Sequence, residues 1–269
     1  MILYTIKTIQ INTIWLKQNA RKGLSAFILL LFTQFTFSQE TDSTKSISHF
    51  SGAITATNNG ISLVPTFSLN RPAVMFNLSI GKGRLSFEPD MRFALAGKPW
   101  SFLFWWRYRV RSDKFLFTVG AHPALNFKTQ ISPADGSEMI VTRRFLAGEL
   151  APNYFVSKNT SIGMYYLYSY GFDKGAPVNG HFITLNTNFR NIRLADQLIA
   201  HFIPQFYYLK QDGVDGVYFT STLTLAKKNF PFSVQSIINK EIESEITGTK
   251  SFVWNVSMIY SFSKQYVRK

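Results

Sequence analysis

From residue 61 onward, apolar and polar side chains alternate one for one in a succession of segments separated by turn residues. Successive side chains of a strand point to opposite faces, so each segment predicts a β-strand with one apolar and one polar face. The segments are 61–69, 73–80, 84–94, 100–110, 114–127, 139–156, 160–171, 180–190, 197–209, 215–226, 231–240 and 251–262, twelve in all. Most are close to the 9 to 11 residues with which a tilted strand crosses a bilayer. In "YFTSTLTLA", Phe219, Leu223 and Leu225 alternate with Tyr218, Thr220, Thr222 and Thr224. In the last segment Phe252, Trp254, Val256, Met258, Tyr260 and Phe262 stand against Asn255, Ser257 and Ser261. No helical period competes over comparable lengths.

"WSFLFWWRYRVR", residues 100–111, raises the question of which face meets which solvent. Phe102, Phe104, Trp106, Tyr108 and Val110 form one face, and Ser101, Leu103, Trp105, Arg107, Arg109 and Arg111 the other. A soluble sheet would turn the apolar face inward, whereas a membrane barrel turns it to lipid and the arginines to the lumen. On the lipid face at mid-bilayer each arginine would cost roughly 2 to 4 kcal/mol, so three of them belong inside. The connectors agree with a membrane barrel. The longest, 128–137 and 241–250, fall at odd positions, where external loops lie if the chain starts in the periplasm. The expected fold is therefore all-β: a transmembrane, antiparallel, up-and-down barrel of about 12 strands.

Two features complicate the strand assignment. "ISHFSGAITATNNG", 47–60, reads as an additional strand closed by Asn59-Gly60, but a thirteenth strand would invert the loop asymmetry. Residues 39–60 are accordingly expected as an N-terminal segment in the periplasm or the lumen, 61–262 as the barrel and 263–269 as a tail. Pro65, Pro89, Pro123, Pro152 and Pro204 recur between apolar residues, and proline lacks the ladder donor, so these positions suggest bulges.

Composition narrows the class. The chain is 46% hydrophobic and 16% aromatic but only 16% charged, below the roughly 25% of an ordinary soluble domain. Its mean hydropathy of +0.00 is too low for a bundle of membrane helices. Lys7, Lys17, Arg21 and Lys22 precede the apolar stretch "LSAFILLLFTQFTF" and then "SQE", the order of a secretory signal, so 1–38 is read as a signal peptide cut after Ser38. Without those four, 25 basic residues face 15 acidic ones, a net charge of +10. A basic exported chain points to outer-membrane lipid and lipopolysaccharide or to anionic solutes, and export argues against nucleic acid. Zero cysteines exclude a disulfide framework and a thiolate metal site, and no cofactor is expected.

The candidate chemistry lies on the polar faces. Arg84, Ser86, Glu88, Asp90 and Arg92 share one face of "RLSFEPDMRF". Paired with the next strand through a turn near Gly97 and Lys98, they set Glu88 opposite Arg107 and Ser86 opposite Arg109, an interior ladder of carboxylates and guanidiniums. By parity Asn77, His122, Asn126, Thr184, Asn186, Asn188, Arg190, His201, Gln205 and Tyr207 also face inward. The expected pore lining is Arg84, Glu88, Asp90, Arg92, Arg107, Arg109, Arg111, Asn186, Asn188, Arg190 and His201. Glu241, Glu243, Glu245, Asp212 and Asp215 read as solvated loop charge. Tyr165, Tyr166, Tyr168, Tyr170, Trp100, Trp105, Trp106 and Trp254 suit the aromatic girdles of a membrane barrel.

His49-Phe50-Ser51 resembles the His-x-Ser of outer-membrane phospholipase A and lipid A deacylases, which implies a serine nucleophile with a histidine base. The orienting polar residue about a dozen positions later is replaced by Leu63. In general pattern, and in the "FTFSQ" end of its signal, the chain resembles the uncharacterised outer-membrane β-barrels of Bacteroidetes. It is similar in outline to twelve-stranded uptake channels for acidic oligosaccharides. The first of these two resemblances implies an outer-membrane location more than an activity; the second, with the arginine ladder, implies a narrow anion-preferring pore or small-solute channel. A closed accessory barrel on a larger outer-membrane complex is the second expectation, and a lipid hydrolase the third.

Overall fold

The computed structural model describes residues 47–267, and these form twelve antiparallel strands closed into one barrel. The signal peptide, its cleavage site and residues 39–46 lie outside the described residues. The strands are β1 Ile47–Thr57, β2 Ala73–Lys82, β3 Leu85–Ala94, β4 Pro99–Arg111, β5 Phe115–Ile131 and β6 Glu138–Phe155. They continue as β7 Thr160–Gly171, β8 Asn179–Arg193, β9 Leu198–Gln211, β10 Val214–Lys227, β11 Phe232–Ser244 and β12 Phe252–Val267. Each strand pairs with its sequence neighbours, and β1 closes on β12 from Ile47↔Val267 to Thr57↔Ser257. Closure removes every exposed sheet edge, which a membrane-spanning sheet requires.

Twelve strands result, but by an exchange. Residues 47–57, expected below or inside the barrel, form β1, while 61–69, expected as a strand, lies in the connection 58–72. The reason is local. Ile61, Leu63, Phe67 and Leu69 fall on one parity and Ser62, Thr66 and Ser68 on the other, but Val64 to Phe67 closes a turn, with the Phe67 N–H bonded to the Val64 carbonyl at 2.9 Å, so the segment doubles back instead of running on as a strand. In β1 the inward His49, Ser51, Thr55 and Thr57 do alternate with Phe50 and Ile54, but Gly52, Ala53 and Ala56 blur the contrast. The expected tail also shortens, because β12 runs on to Val267.

The prolines do not mark bulges. The β2–β3 ladder skips from Asn77↔Asp90 to Ile80↔Phe87 around Pro89, yet the register is the same on either side, and Pro89 pairs with Phe104 of β4. Pro123 likewise interrupts only the β4 side of β5, Pro152 only the β7 side of β6 and Pro204 only the β8 side of β9. A missing N–H donor costs one ladder on one side and leaves the other intact.

The five connections 83–84, 112–114, 156–159, 194–197 and 228–231 are short, and β1 begins and β12 ends at the same end of the barrel. The opposite end carries 58–72, 132–137, 172–178 and 245–251. Short turns are periplasmic in outer-membrane barrels and longer loops external, which orients the chain. The outer face is apolar, with Trp106, Leu150, Leu185, Phe206, Trp254 and Met258 all exposed. Of the expected girdle, Trp106, Trp254 and Tyr170 are on this face, whereas Trp100, Trp105 and Tyr165 turn inward.

Candidate functional site

The barrel interior has three levels. At the external level the connection 58–72 folds into the lumen. Asn58 and Asn59 tie its start to β12: Asn58 Oδ1 accepts from the Val256 N–H at 2.8 Å, and Asn59 Nδ2 donates to the Trp254 carbonyl at 3.2 Å. The segment turns back on itself through the Leu69 N–H bond to the Gly60 carbonyl at 2.7 Å and an Ile61↔Ser68 bridge. Its Leu63, Val64 and Phe67 pack against a buried cluster that includes Trp105, Phe182, Tyr207, Leu209 and Tyr218. Tyr207 stacks on Tyr218 with centroids 4.8 Å apart and donates to Asn239 Oδ1 at 2.7 Å. Burying such side chains stabilises the inserted loop by about 1.5 to 3 kcal/mol for each one fully covered.

The middle level is an ion-pair layer on β3 to β7. Arg107 donates from Nη1 to Glu88 at 2.6 Å, from Nε to Glu149 at 2.5 Å and from Nη2 to the second Glu149 oxygen at 3.0 Å. Arg109 donates to Glu88 and to Ser86 Oγ, both at 2.6 Å. Tyr165 donates to Glu149 at 2.7 Å, and Arg92 pairs with Asp90. Arg107 also lies 4.2 Å from the Trp105 ring, which is tilted at 45° against the buried His122 ring with centroids 3.7 Å apart. Gly120 makes the pairing possible: a Cβ there would stand 2.7 Å from a Glu149 oxygen and 3.1 Å from Arg107 Cγ.

The β3–β4 register is offset from the expected one. Ser86 is opposite Arg107 and Glu88 opposite Trp105, because the hairpin closes around Ala96, with Phe93 opposite Pro99, and the one-residue shift at Arg92/Phe93 restores only part of the difference. The long arginines reach their partners diagonally, within the span that such neighbours allow. Sequence reasoning missed Glu149. Its signal was a single carboxylate two residues from Ala147 and Ala151, on the face opposite Leu146 and Leu150.

At the periplasmic level the interior is polar and open. Asn77, Ser261, Ser263 and Gln265 share the inward face of β1 and its neighbours and are solvent-exposed. Arg111 and Arg190 both lie over Phe155, 5.3 and 5.5 Å from its centroid. Asn186, Asn188 and His201 face the interior on β8 and β9, apart from the ion-pair layer. Arg84 does not belong to the wall: it is exposed in the 83–84 turn, where a two-residue hairpin leaves no room for a strand position.

A cavity of about 530 Å³ runs beside the inserted loop, from Lys98, Gly248 and Thr249 outside to Leu103, His122 and Ala147 within. Arg71, Lys128 and Arg143 line it, and none of them has a carboxylate partner among the described residues. The Arg143 Nε is buried without any hydrogen-bond partner.

His49 donates to or accepts from Ser79 Oγ at 2.9 Å, across the β1–β2 pair, and Ser79 in turn reaches Glu88 at 3.4 Å. Ser51 pairs in register with Ser79, and the His49 ring bonds to Ser79 instead of to Ser51. The external carboxylates serve structure. Asp212 accepts from the backbone N–H groups of Val178 and Asn179, Asp215 accepts from Tyr208, and the described residues contain no cluster fit for a metal ion.

An apolar outer belt, a polar interior, full closure and a short-turn end define a porin-like bacterial outer-membrane β-barrel, and that fold implies the outer membrane. Among solved structures the chain is similar to the KdgM porin, with a TM-score of 0.50 and 12% identity over 79% of this chain and 99% of that one. A looser likeness is to an outer-membrane channel from Pseudomonas putida F1, with a TM-score of 0.47 and 11% identity over 81% of this chain and 95% of that one. The first likeness defines the fold and leaves the solute open. No protein-family model and no curated protein matches the sequence.

Proposed function

We propose that this barrel is a narrow, anion-preferring solute channel, held shut in this conformation by the inserted 58–72 loop. The observation that carries the reading is the cavity of about 530 Å³, which brings external solvent down to Arg92 and His122, next to the ion-pair layer. Beyond it the Arg107 layer, the inserted loop and the buried cluster around Trp105, Tyr207 and Tyr218 separate the cavity from the periplasmic chamber.

The seat of anion preference is not the arginine ladder. Glu88, Asp90 and Glu149 neutralise Arg92, Arg107 and Arg109. Preference rests instead on cations without carboxylates at the two mouths: Arg71, Lys128 and Arg143 outside, Arg111 and Arg190 inside. Fields of one sign focused in a low-dielectric mouth raise the local concentration of the opposite ion. Outer-membrane lipid and lipopolysaccharide are proposed to surround the apolar belt.

A second reading, a closed accessory barrel docking onto a larger outer-membrane complex, draws support from the apolar packing of Leu63, Val64 and Phe67. A lipid hydrolase at His49 and Ser51 draws none, since both face the interior and His49 is bonded to Ser79. Single-channel current through the refolded mature chain in a planar bilayer decides between the first two. Anion-selective openings support the channel. Silence from wild type and from a variant with Leu63→Asn and Phe67→Asn, both shown to be folded barrels, would leave the accessory barrel.

A further inference from the structure

The basic excess of the chain is concentrated at one end of the barrel. Every periplasmic turn carries a cation in it or beside it: Arg84 in 83–84, Lys114 in 112–114, Lys158 in 156–159, Arg193 before 194–197 and Lys228 in 228–231. Lys264 completes the circuit on β12. All six are exposed, and the same turns hold only two carboxylates, Asp113 and Asp196. None of these six cations takes part in an ion pair among the described residues. The external end mixes the signs, with Lys98 paired to Glu138 and Arg144 to Asp173, and with Asp135, Asp212 and Glu243 close by.

The shape of this distribution selects the partner. A docked periplasmic protein would need a patch on one side, whereas these cations follow the whole circumference. Just inside them, on the lipid-facing side, stand Phe115, Tyr154, Phe230, Phe232, Tyr260 and Tyr266, all exposed. Aromatic side chains in that position mark the headgroup level of a membrane barrel. The ring therefore sits at the depth of the inner-leaflet phosphates, within a screening length of them.

We propose that the periplasmic rim is a binding ring for anionic glycerophospholipid headgroups of the inner leaflet, which fixes the barrel's depth and orientation. The ring holds whether or not the lumen conducts. It also places the basic excess of this chain away from the lipopolysaccharide leaflet.

The test uses the full mature chain in phosphatidylcholine vesicles containing trace spin-labelled phosphatidylglycerol or spin-labelled phosphatidylcholine, with the motionally restricted fraction read by electron paramagnetic resonance. Wild type is expected to prefer phosphatidylglycerol roughly threefold, since each nearby cation adds attraction to an anionic surface. The preference should disappear at about 1 M salt, where the screening length is about 3 Å. A rim variant with Arg84, Lys114, Lys158 and Lys228 all changed to Gln should show none. An external variant with Lys98, Lys174, Lys210 and Lys250 changed to Gln should keep it. Seven of the eight positions are loop or turn residues and Lys210 is the penultimate residue of β9, and a heat-modifiability gel confirms that both variants remain folded. An unchanged preference in the rim variant, an equal loss in the external variant, or no preference in wild type overturns the proposal. In the last case, an acidic periplasmic protein retained by wild type and lost by the rim variant would claim the ring instead.

Discussion

At its external end the interior of this barrel is packed by Leu63, Val64 and Phe67 against an aromatic wall, while at its periplasmic end Ser261, Ser263 and Gln265 face the same interior and meet solvent. One wall alternation serves both ends, so the difference does not come from the strands. It comes from what is inserted between them. The external level holds a segment that doubles back and packs Leu63, Val64 and Phe67 against the wall. Among the described residues the periplasmic level receives no such segment, because its connections are too short to reach inward. Between the two, the Arg107 layer acts as a floor for one and a ceiling for the other.

Removing that floor is expected to have the largest effect. In Glu149→Ala, Arg107 loses two hydrogen bonds and Tyr165 loses its acceptor. The Glu149 side chain is 1% exposed and that of Arg107 19%, so the guanidinium left behind keeps Glu88 but has only partial access to water. Breaking a buried pair on one side costs about 3 kcal/mol. Guanidinium unfolding of the protein in phospholipid vesicles should show that loss, with Glu149→Gln milder because an amide oxygen still accepts. A loss below about 1 kcal/mol, the range of surface pairs, would mean that the layer is solvated and not a floor. Gly120→Val offers an independent approach to the same contact. Its side chain would invade the space of the Glu149 carboxylate, and overpacking of this kind costs about 1 to 3 kcal/mol.

The next effect erases the contrast itself. Leu63→Asn with Phe67→Asn removes the apolar anchor of the inserted loop and leaves the wall untouched. Conductance should rise severalfold over wild type in planar bilayers, and the loop should become a site of protease cleavage in vesicles. If conductance is unchanged, the restriction lies in the Arg107 layer and the loop is only a cover. Arg143→Glu is a smaller change, placed in the external mouth. It should lower the anion-to-cation permeability ratio by roughly twofold, as expected for reversing one charge in a focused field. An equal shift from Arg107→Gln, with its partners Glu88 and Glu149 kept, would return selectivity to the ladder.

Much of this architecture was legible in the alternation, and the failures have physical causes. The inward placement of Arg107 and Arg109 follows from the cost of a guanidinium in lipid, a term large enough to fix a whole strand's orientation. Segment 61–69 misled because Ile61, Leu63, Phe67 and Leu69 alternate with Ser62, Thr66 and Ser68 as a strand would, while the turn from Val64 to Phe67 folds the segment back on itself. β1 was hidden by Gly52, Ala53 and Ala56, whose small side chains carry almost no contrast. The ladder's neutrality could not be read at all without β6. Glu149 pairs in register with Gly120, and only closure of β5 on β6 brings it to Arg107.

The smallest expected effect concerns the external loops that frame the packed half. Asp173 accepts from the Arg144 guanidinium at 2.7 Å and from the Arg144 backbone N–H at 2.6 Å. These bonds, the guanidinium first, hold its carboxyl at about 2, below the ordinary 3.8. A depressed carboxylate contributes to the folded loop above its ordinary value and loses that contribution as pH falls through 3.8 towards 2. Because the pair lies in solvent, global stability should hardly respond, and the effect should stay within the 172–178 loop. Carbon-13 titration of labelled Asp173 should give a midpoint near 2 in wild type. In Arg144→Gln the midpoint should climb part of the way back, because the backbone bond survives. A wild-type midpoint at 3.8 would show that the loop is not tied to β6. The external frame would then be free to move independently of the apolar packing beneath it, and the shut conformation would depend on the 58–72 loop alone.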